Sequence, residues 1–216
     1  MRFWIAAAVV PGVLWIAVLT MPTLDERWES HPAHFWLVLA AAVASVVLGY
    51  AVLVAARRRR DARLFLVSLA FLASAAFLGL HALATPGVLV GKNAGFELAP
   101  PVGLVVAAAF AAASSLELST RAADRVLRAS HVVLGALVTL VVAWAVVSLA
   151  ELPPLDRPLA AEEVDGWQVG LAVAGVALYT AAAAGYLTLY RRRRDRFALS
   201  VAFAFGLLAE AMVVIV

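Results

Sequence analysis

The sequence predicts an all-α, polytopic membrane protein, and three observations carry the prediction. Hydrophobic residues make up 65% of the 216 and charged residues 14%, against roughly 45–50% and 25% in a soluble domain. The apolar residues fall into seven runs, each near the about 20 residues of helix needed to cross a hydrocarbon core about 30 Å thick. Charge is confined to short clusters between the runs, with arginine gathered in alternate loops.

Taken in order, the predicted spans are 3–21, 34–56, 64–86, 100–117, 131–150, 168–190 and 197–216. The first has an apolar run longer than the roughly 7–15 residues of a signal-peptide core, and no small-x-small site precedes the acidic loop at Asp25. It is therefore read as an uncleaved helix bent at Pro11. The second follows WESHPAHFW, where Pro32 favours a turn or a helix start. The third ends at Pro86 and the fourth starts at Pro100. Trp4, Trp28, Trp36 and Trp167 fall near predicted interfaces, where indole rings prefer to lie. In the sixth span, Gly170, Ala174, Ala181 and Gly185 would permit close helix packing.

Lysine and arginine resist translocation and collect in cytoplasmic loops. Arg2, the loop 57–63 (RRRRDAR), the loop 118–130 and the loop 191–196 (RRRRDR) hold 14 of the 17 basic residues. The alternate loops hold Arg27, Lys92 and Arg157 beside nine acids. The expected N-terminus is cytoplasmic, and the chain is expected to form a single membrane domain, residues 1–216. Arg57, Arg58, Arg59, Arg60, Arg191, Arg192, Arg193 and Arg194 are its topology anchors, and they also meet anionic lipid. The same clustering accounts for the pI near 9.8 without nucleic acid as a partner.

An internal repeat underlies the pattern. GYAVLVAARRRRDARLFLVSLAF (Gly49 to Phe71) resembles GYLTLYRRRRDRFALSVAF (Gly185 to Phe203). The second and third spans thus correspond to the sixth and seventh, giving a parallel repeat of four helices with units at about 1–120 and 121–216. A second complete unit requires an eighth helix, so an apolar run of about 20 residues is expected soon after Val216 in the parent gene.

A polar side chain in the hydrocarbon zone costs a few kcal/mol and usually has a partner. His81, five residues before Pro86, and Glu210, fourteen residues after Arg196, both lie in the outer half of their spans. The repeat places them about one turn apart on similar faces, so the two halves would present them towards a shared axis. His31 and His34 are spaced for one helical face, and with Glu29 they could join His81 in an outer site. Three readings stay open: interfacial histidines with a purely structural bond at His81, a metal or haem site using His31, His34 and His81, or a proton- or ligand-sensing pocket. Glu117 and His131 read as water-reached boundary residues.

Several functions are excluded by composition. No cysteine is present, so disulfides and thiolate chemistry are absent. Lys92 is the only lysine and lies in a loop, so no Schiff base of the retinal type forms in the last helix. No P-loop, HExxH or serine elbow occurs, and the segment is not expected to be an enzyme.

WESHPAHFWLVLAAA, FLGLHALATPGVL and AGFELAPPVGL resemble the N-terminal multi-pass membrane regions of actinobacterial signalling proteins. In those, a helical membrane module precedes a cytoplasmic adenylate/guanylate cyclase or histidine kinase domain. The resemblance implies a sensory or regulatory input module, with His31, His34, His81 and Glu210 as family features and any catalysis in a separate output domain. The expected partners are the lipid bilayer, a second copy through the membrane domain, and that output domain. The alternatives are a small transporter or channel, or a haem- or metal-binding membrane protein.

Overall fold

The computed structural model describes residues 2–21 and 30–214. Among them are eight helices: α1 (Arg2–Thr20), α2 (His31–Arg59), α3 (Ala62–Leu83), α4 (Ala94–Ser115), α5 (Thr120–Arg128), α6 (Ser130–Leu149), α7 (Ala161–Arg193) and α8 (Arg196–Val214). No strand occurs among the described residues, which is what a bilayer demands of a chain that must satisfy its backbone within each crossing segment. α2, α3, α4, α6, α7 and α8 are long and apolar enough to cross a membrane, making this a multi-pass helical protein. Seven such spans are expected from the sequence. α1 is the expected span that is not among these six.

α3 is the hub. More than half of its span is buried inside the bundle, against a third or less for each other crossing helix. It packs between α2 and α4, α4 packs on α7, and α7 on α8, while α6 leans on α3 and α4 and α1 on α8. The close approach of α3 and α4 rests on small residues, since lipid offers no hydrophobic drive for helices to associate. Ala70, Ala73, Ala107, Ala108 and Ala111 are enclosed, and a Cβ at Gly103 would come within 2.7 Å of Phe77 Cγ. The outward faces of α2 and α6 carry Trp36, Leu37, Val47, Leu48, Val132, Val142 and Val146, all exposed and suited to acyl chains. Trp167 is exposed near the start of α7; Trp28 lies outside the described residues.

Three features differ from expectation for local reasons. α4 starts at Ala94, six residues before Pro100, because Asn93 caps it by accepting from the Phe96 amide at 3.1 Å. The stretch 118–130 contains α5, capped by Ser119, which accepts from the Ala122 amide at 3.3 Å. Its Val126 and Leu127 turn to the bundle and its arginines to the polar side. In α7, Gly185 meets Ser115 of α4, but Gly170 faces open space and Ala174 and Ala181 are exposed. The packed face is instead Ala172, Gly175, Tyr179, Ala182 and Tyr186.

The repeated RRRRD motif builds the same turn twice. Arg60 and Arg194 take left-handed φ values of 52° and 55°, ending α2 and α7. The following aspartates then receive the next helix: Asp61 accepts from the Leu64 amide at 3.0 Å and Asp195 from the Phe197 amide at 2.9 Å. Packing does not repeat as faithfully. Gly49 backs on Leu72 of its own hairpin and Gly185 on Ser115 of α4, while Tyr50 is exposed and its counterpart Tyr186 enclosed.

Candidate functional site

His81 is joined to a partner from each neighbouring helix at the end of the bundle opposite the arginine loops. Its Nε2 lies 3.2 Å from Nε2 of His34 on α2. Its Nδ1 lies 2.9 Å from the Phe96 carbonyl of α4, and the Phe96 ring stacks on the imidazole at 4.1 Å between centroids, 19° from parallel. The His34 ring stands edge-on to His81 at 5.3 Å.

The sequence of α4 explains why the Phe96 carbonyl is free. In an α-helix that oxygen would accept from the amide four residues on, and residue 100 is proline, which has no N–H. Pro101 does the same to the Glu97 carbonyl. A buried carbonyl without a partner costs free energy, and His81 supplies the missing donor.

That bond also sets the tautomers. A carbonyl only accepts, so His81 Nδ1 carries the proton; in the neutral ring Nε2 is then an acceptor, and His34 Nε2–H donates to it. If His81 takes up a second proton, two N–H groups face each other unless His34 shifts its own proton to Nδ1 or turns away. The pair therefore has two distinct arrangements separated by one proton.

A second cluster, which the sequence did not single out, holds the start of α4 in place. Asn93 is enclosed and uses its whole amide. Its Oδ1 accepts from the Phe96 amide and from Ser148 Oγ at 3.3 Å, while Nδ2 donates to the carbonyls of Gly91 and Ser148. The Gly91 amide donates to Glu151 at 2.8 Å, the Leu159 amide to Glu97 at 3.2 Å, and the Ala94 amide to the Arg157 carbonyl at 3.0 Å. Gly95 lets α6 approach, since a Cβ there would lie 2.5 Å from Ser148 Cβ. Asn93→Ala is expected to cost about 1–3 kcal/mol by stranding the Ser148 hydroxyl and the Phe96 amide. Thermal unfolding of the detergent-solubilised protein checks this, and an unchanged melting temperature would show that the cluster does not hold α4.

The remaining sequence candidates do not join the histidine pair. His31 is exposed at the first residue of α2, one turn before His34, and Glu29 lies outside the described residues. Among the described residues no three histidine or carboxylate side chains converge as metal ligands, so the set His31, His34 and His81 is reduced to two. Glu210 sits on α8 against α1, where a Cβ at Gly12 would lie 2.5 Å from its Oε1, at the edge of an apolar groove of about 330 Å³. It faces α1 while His81 faces α2 and α4, so no shared histidine–carboxylate axis forms. Helices of corresponding sequence are rotated differently by their different neighbours.

At the arginine end, Arg63 donates to the carbonyls of Ser114 and Leu116 at 3.1 and 3.2 Å, closing the C-terminus of α4. Tyr186 of α7 donates to Ser114 Oγ at 3.0 Å. Glu117 pairs with Arg192, so it does more than mark a boundary. Arg58, Arg59, Arg60, Arg191, Arg193 and Arg194 are exposed, whereas Arg57 is half-buried. α4 is thus tied at one end to α3 and α7 and at the other to α3 and α6.

Compared with known proteins, the chain matches no family model, no curated protein and no solved structure.

Proposed function

We propose that this chain is a membrane-embedded sensory or regulatory input module of a bacterial signalling protein, with its stimulus acting at His34, His81 and Phe96. The observation that carries the reading is the 3.2 Å contact between the two imidazoles, with His81 fixed on the carbonyl that Pro100 frees. Protonation or a hydrogen-bonding ligand there changes how α2, α3 and α4 meet. Of the other ionisable side chains described at this end, Glu97 and Glu151 are tied to backbone amides, Asp156 pairs with Arg157, and His31 and Lys92 are exposed. α4, latched at both ends, connects this site to the arginine end, cytoplasmic by the charge bias, where the sequence resemblance implies an output domain of the cyclase or kinase kind.

The reading includes α1 as a seventh span and a parallel four-helix repeat. What supports the repeat is the doubled RRRRD turn, together with reciprocal packing in which the first helix of each unit touches the third helix of the other: α1 on α8 and α6 on α3.

The test uses the absence of native cysteine. Spin labels on single cysteines at Arg58 and Arg121 report the spacing of α2 and α5 in liposomes. The distance distribution is expected to shift between neutral and acidic buffer, and to stay fixed in His81→Gln. A distribution that ignores pH in the unmodified histidine background would sink the proton-sensing form of the proposal.

The same distance favours a second reading. Two nitrogen ligands of a tetrahedral zinc ion, each about 2.0–2.1 Å from the metal, lie about 3.3 Å apart, close to the 3.2 Å seen. His34 and His81 could chelate such an ion with water completing the shell. Trans ligation of haem does not fit, because the two rings touch where a macrocycle would have to pass. Calorimetric titration with zinc distinguishes the readings: saturable binding lost in His34→Ala favours the metal, and no binding leaves the proton pair.

A further inference from the structure

We propose that the arginine end carries a binding site for a phosphate group, in the cleft between the end of α2, the end of α5 and the start of α6. This cleft, about 410 Å³, is lined by Arg57, Arg60, Leu127, Arg128, Ser130 and His131. Three guanidinium groups and an imidazole face it, and no carboxylate is among its lining residues.

Arg57 makes the cleft more than a solvated basic surface. Its Nε and Nη2 are enclosed and have no hydrogen-bond partner in the protein. Enclosed N–H donors without hydrogen bonds are costly, and a guanidinium presents a planar fork that matches phosphate oxygens two at a time. The neighbouring basic cleft, lined by Arg59, Arg63 and Arg193 among others, lacks this feature. It contains Asp61, and its Arg63 is already spent on the carbonyls of Ser114 and Leu116. His131, read from sequence as a boundary residue, here lies beside Arg57 and Arg128 at the level where a lipid headgroup would lie. α5 sets the geometry: Leu127 packs against the bundle and Arg128 follows it into the cleft. The occupant is either the phosphodiester of an anionic lipid or free inorganic phosphate, which share this chemistry.

The purified full chain in neutral detergent, incubated with dioleoyl phosphatidylglycerol and weighed by native mass spectrometry, tests the site. Arg57→Gln and Arg128→Gln should each lower the retained lipid about fivefold, the loss expected for one arginine near a membrane surface. Arg193→Gln, which removes the same charge from the neighbouring cleft, should change it much less. Arg128 is exposed, so its variant reports on binding even if Arg57→Gln folds poorly. Equal retention in the native chain and Arg128→Gln, or an equal loss in Arg193→Gln, would overturn the site. Displacement of the lipid by millimolar inorganic phosphate assigns the site to a soluble anion, and resistance to it assigns the site to the lipid headgroup.

Discussion

Gly103→Ala should lower the stability of the detergent-solubilised protein by about 1–3 kcal/mol, the usual cost of overpacking a tight contact. A Cβ at this position would lie 2.7 Å from Phe77 Cγ and nearer still to Phe77 Cβ. Phe77 is fully enclosed and bounded on another side by the edge of Trp144 at 5.5 Å, so its ring has nowhere to swing. The Cβ contact is with the root of the side chain, which moves only with the α3 backbone. The helices must therefore separate, and the separation falls on the pair that forms the centre of the bundle. Gly135→Ala is the control, because its Cβ meets nothing within 4 Å; alanine there should be neutral or slightly stabilising by helix propensity. Thermal melts of the two variants decide the matter. Equal melting temperatures would mean that α3 and α4 are not packed at Gly103.

His81→Ala and His34→Ala should each abolish the pH-dependent change in helix spacing, and the double variant should lose no more than either alone. Residues that act as one unit are non-additive in this way. The reason lies in the bond directions: His34 donates to a lone pair that exists only while His81 Nδ1–H is held by the Phe96 carbonyl. Pro100→Ala provides a finer probe. It returns an N–H to residue 100 and gives the Phe96 carbonyl its own helical partner, so His81 must share the oxygen. The response should weaken without disappearing, while the helix itself becomes easier to form. Elution of each variant as a single species would show that folding is intact. A response that persists in His81→Ala would leave the pair as a structural contact between helices.

Much of the fold was legible because its causes are local. Each crossing helix is read from some twenty consecutive residues whose transfer to hydrocarbon is nearly additive, and α2, α3, α6, α7 and α8 fall within a few residues of expectation in their apolar parts. The RRRRD turn was legible as a repeated string, and its meaning is local too: a left-handed arginine followed by an aspartate N-cap. α4 was misplaced at its start because two prolines look like a beginning, whereas Asn93, seven residues earlier, satisfies the orphan amides. α5 was missed because nine residues are too few for an apolar period to stand out.

The site was only half legible. His81 drew notice as a polar residue in apolar surroundings and His34 by its spacing from His31, but nothing in the string places them 3.2 Å apart across 47 residues. Phe96 could have been suspected from Pro100, since a proline always frees the carbonyl four residues before it. Asn93 and Ser148 gave no signal, being small polar residues whose importance comes only from meeting each other. Glu210 drew notice for the same reason as His81 and turned out to face α1.

By itself, then, the amino-acid sequence determined a multi-pass helical membrane protein with one arginine-rich end, because hydropathy, capping and turn formation are sums over neighbouring residues. Only the tertiary structure decided which polar groups meet: that His34 and not His31 reaches His81, that Glu210 stays apart, and that Nε and Nη2 of Arg57 are enclosed without a partner. Those outcomes depend on how each helix is rotated about its axis, where a single-residue offset turns a side chain by about 100°. That rotation is set by the small residues and glycines of the neighbouring helices.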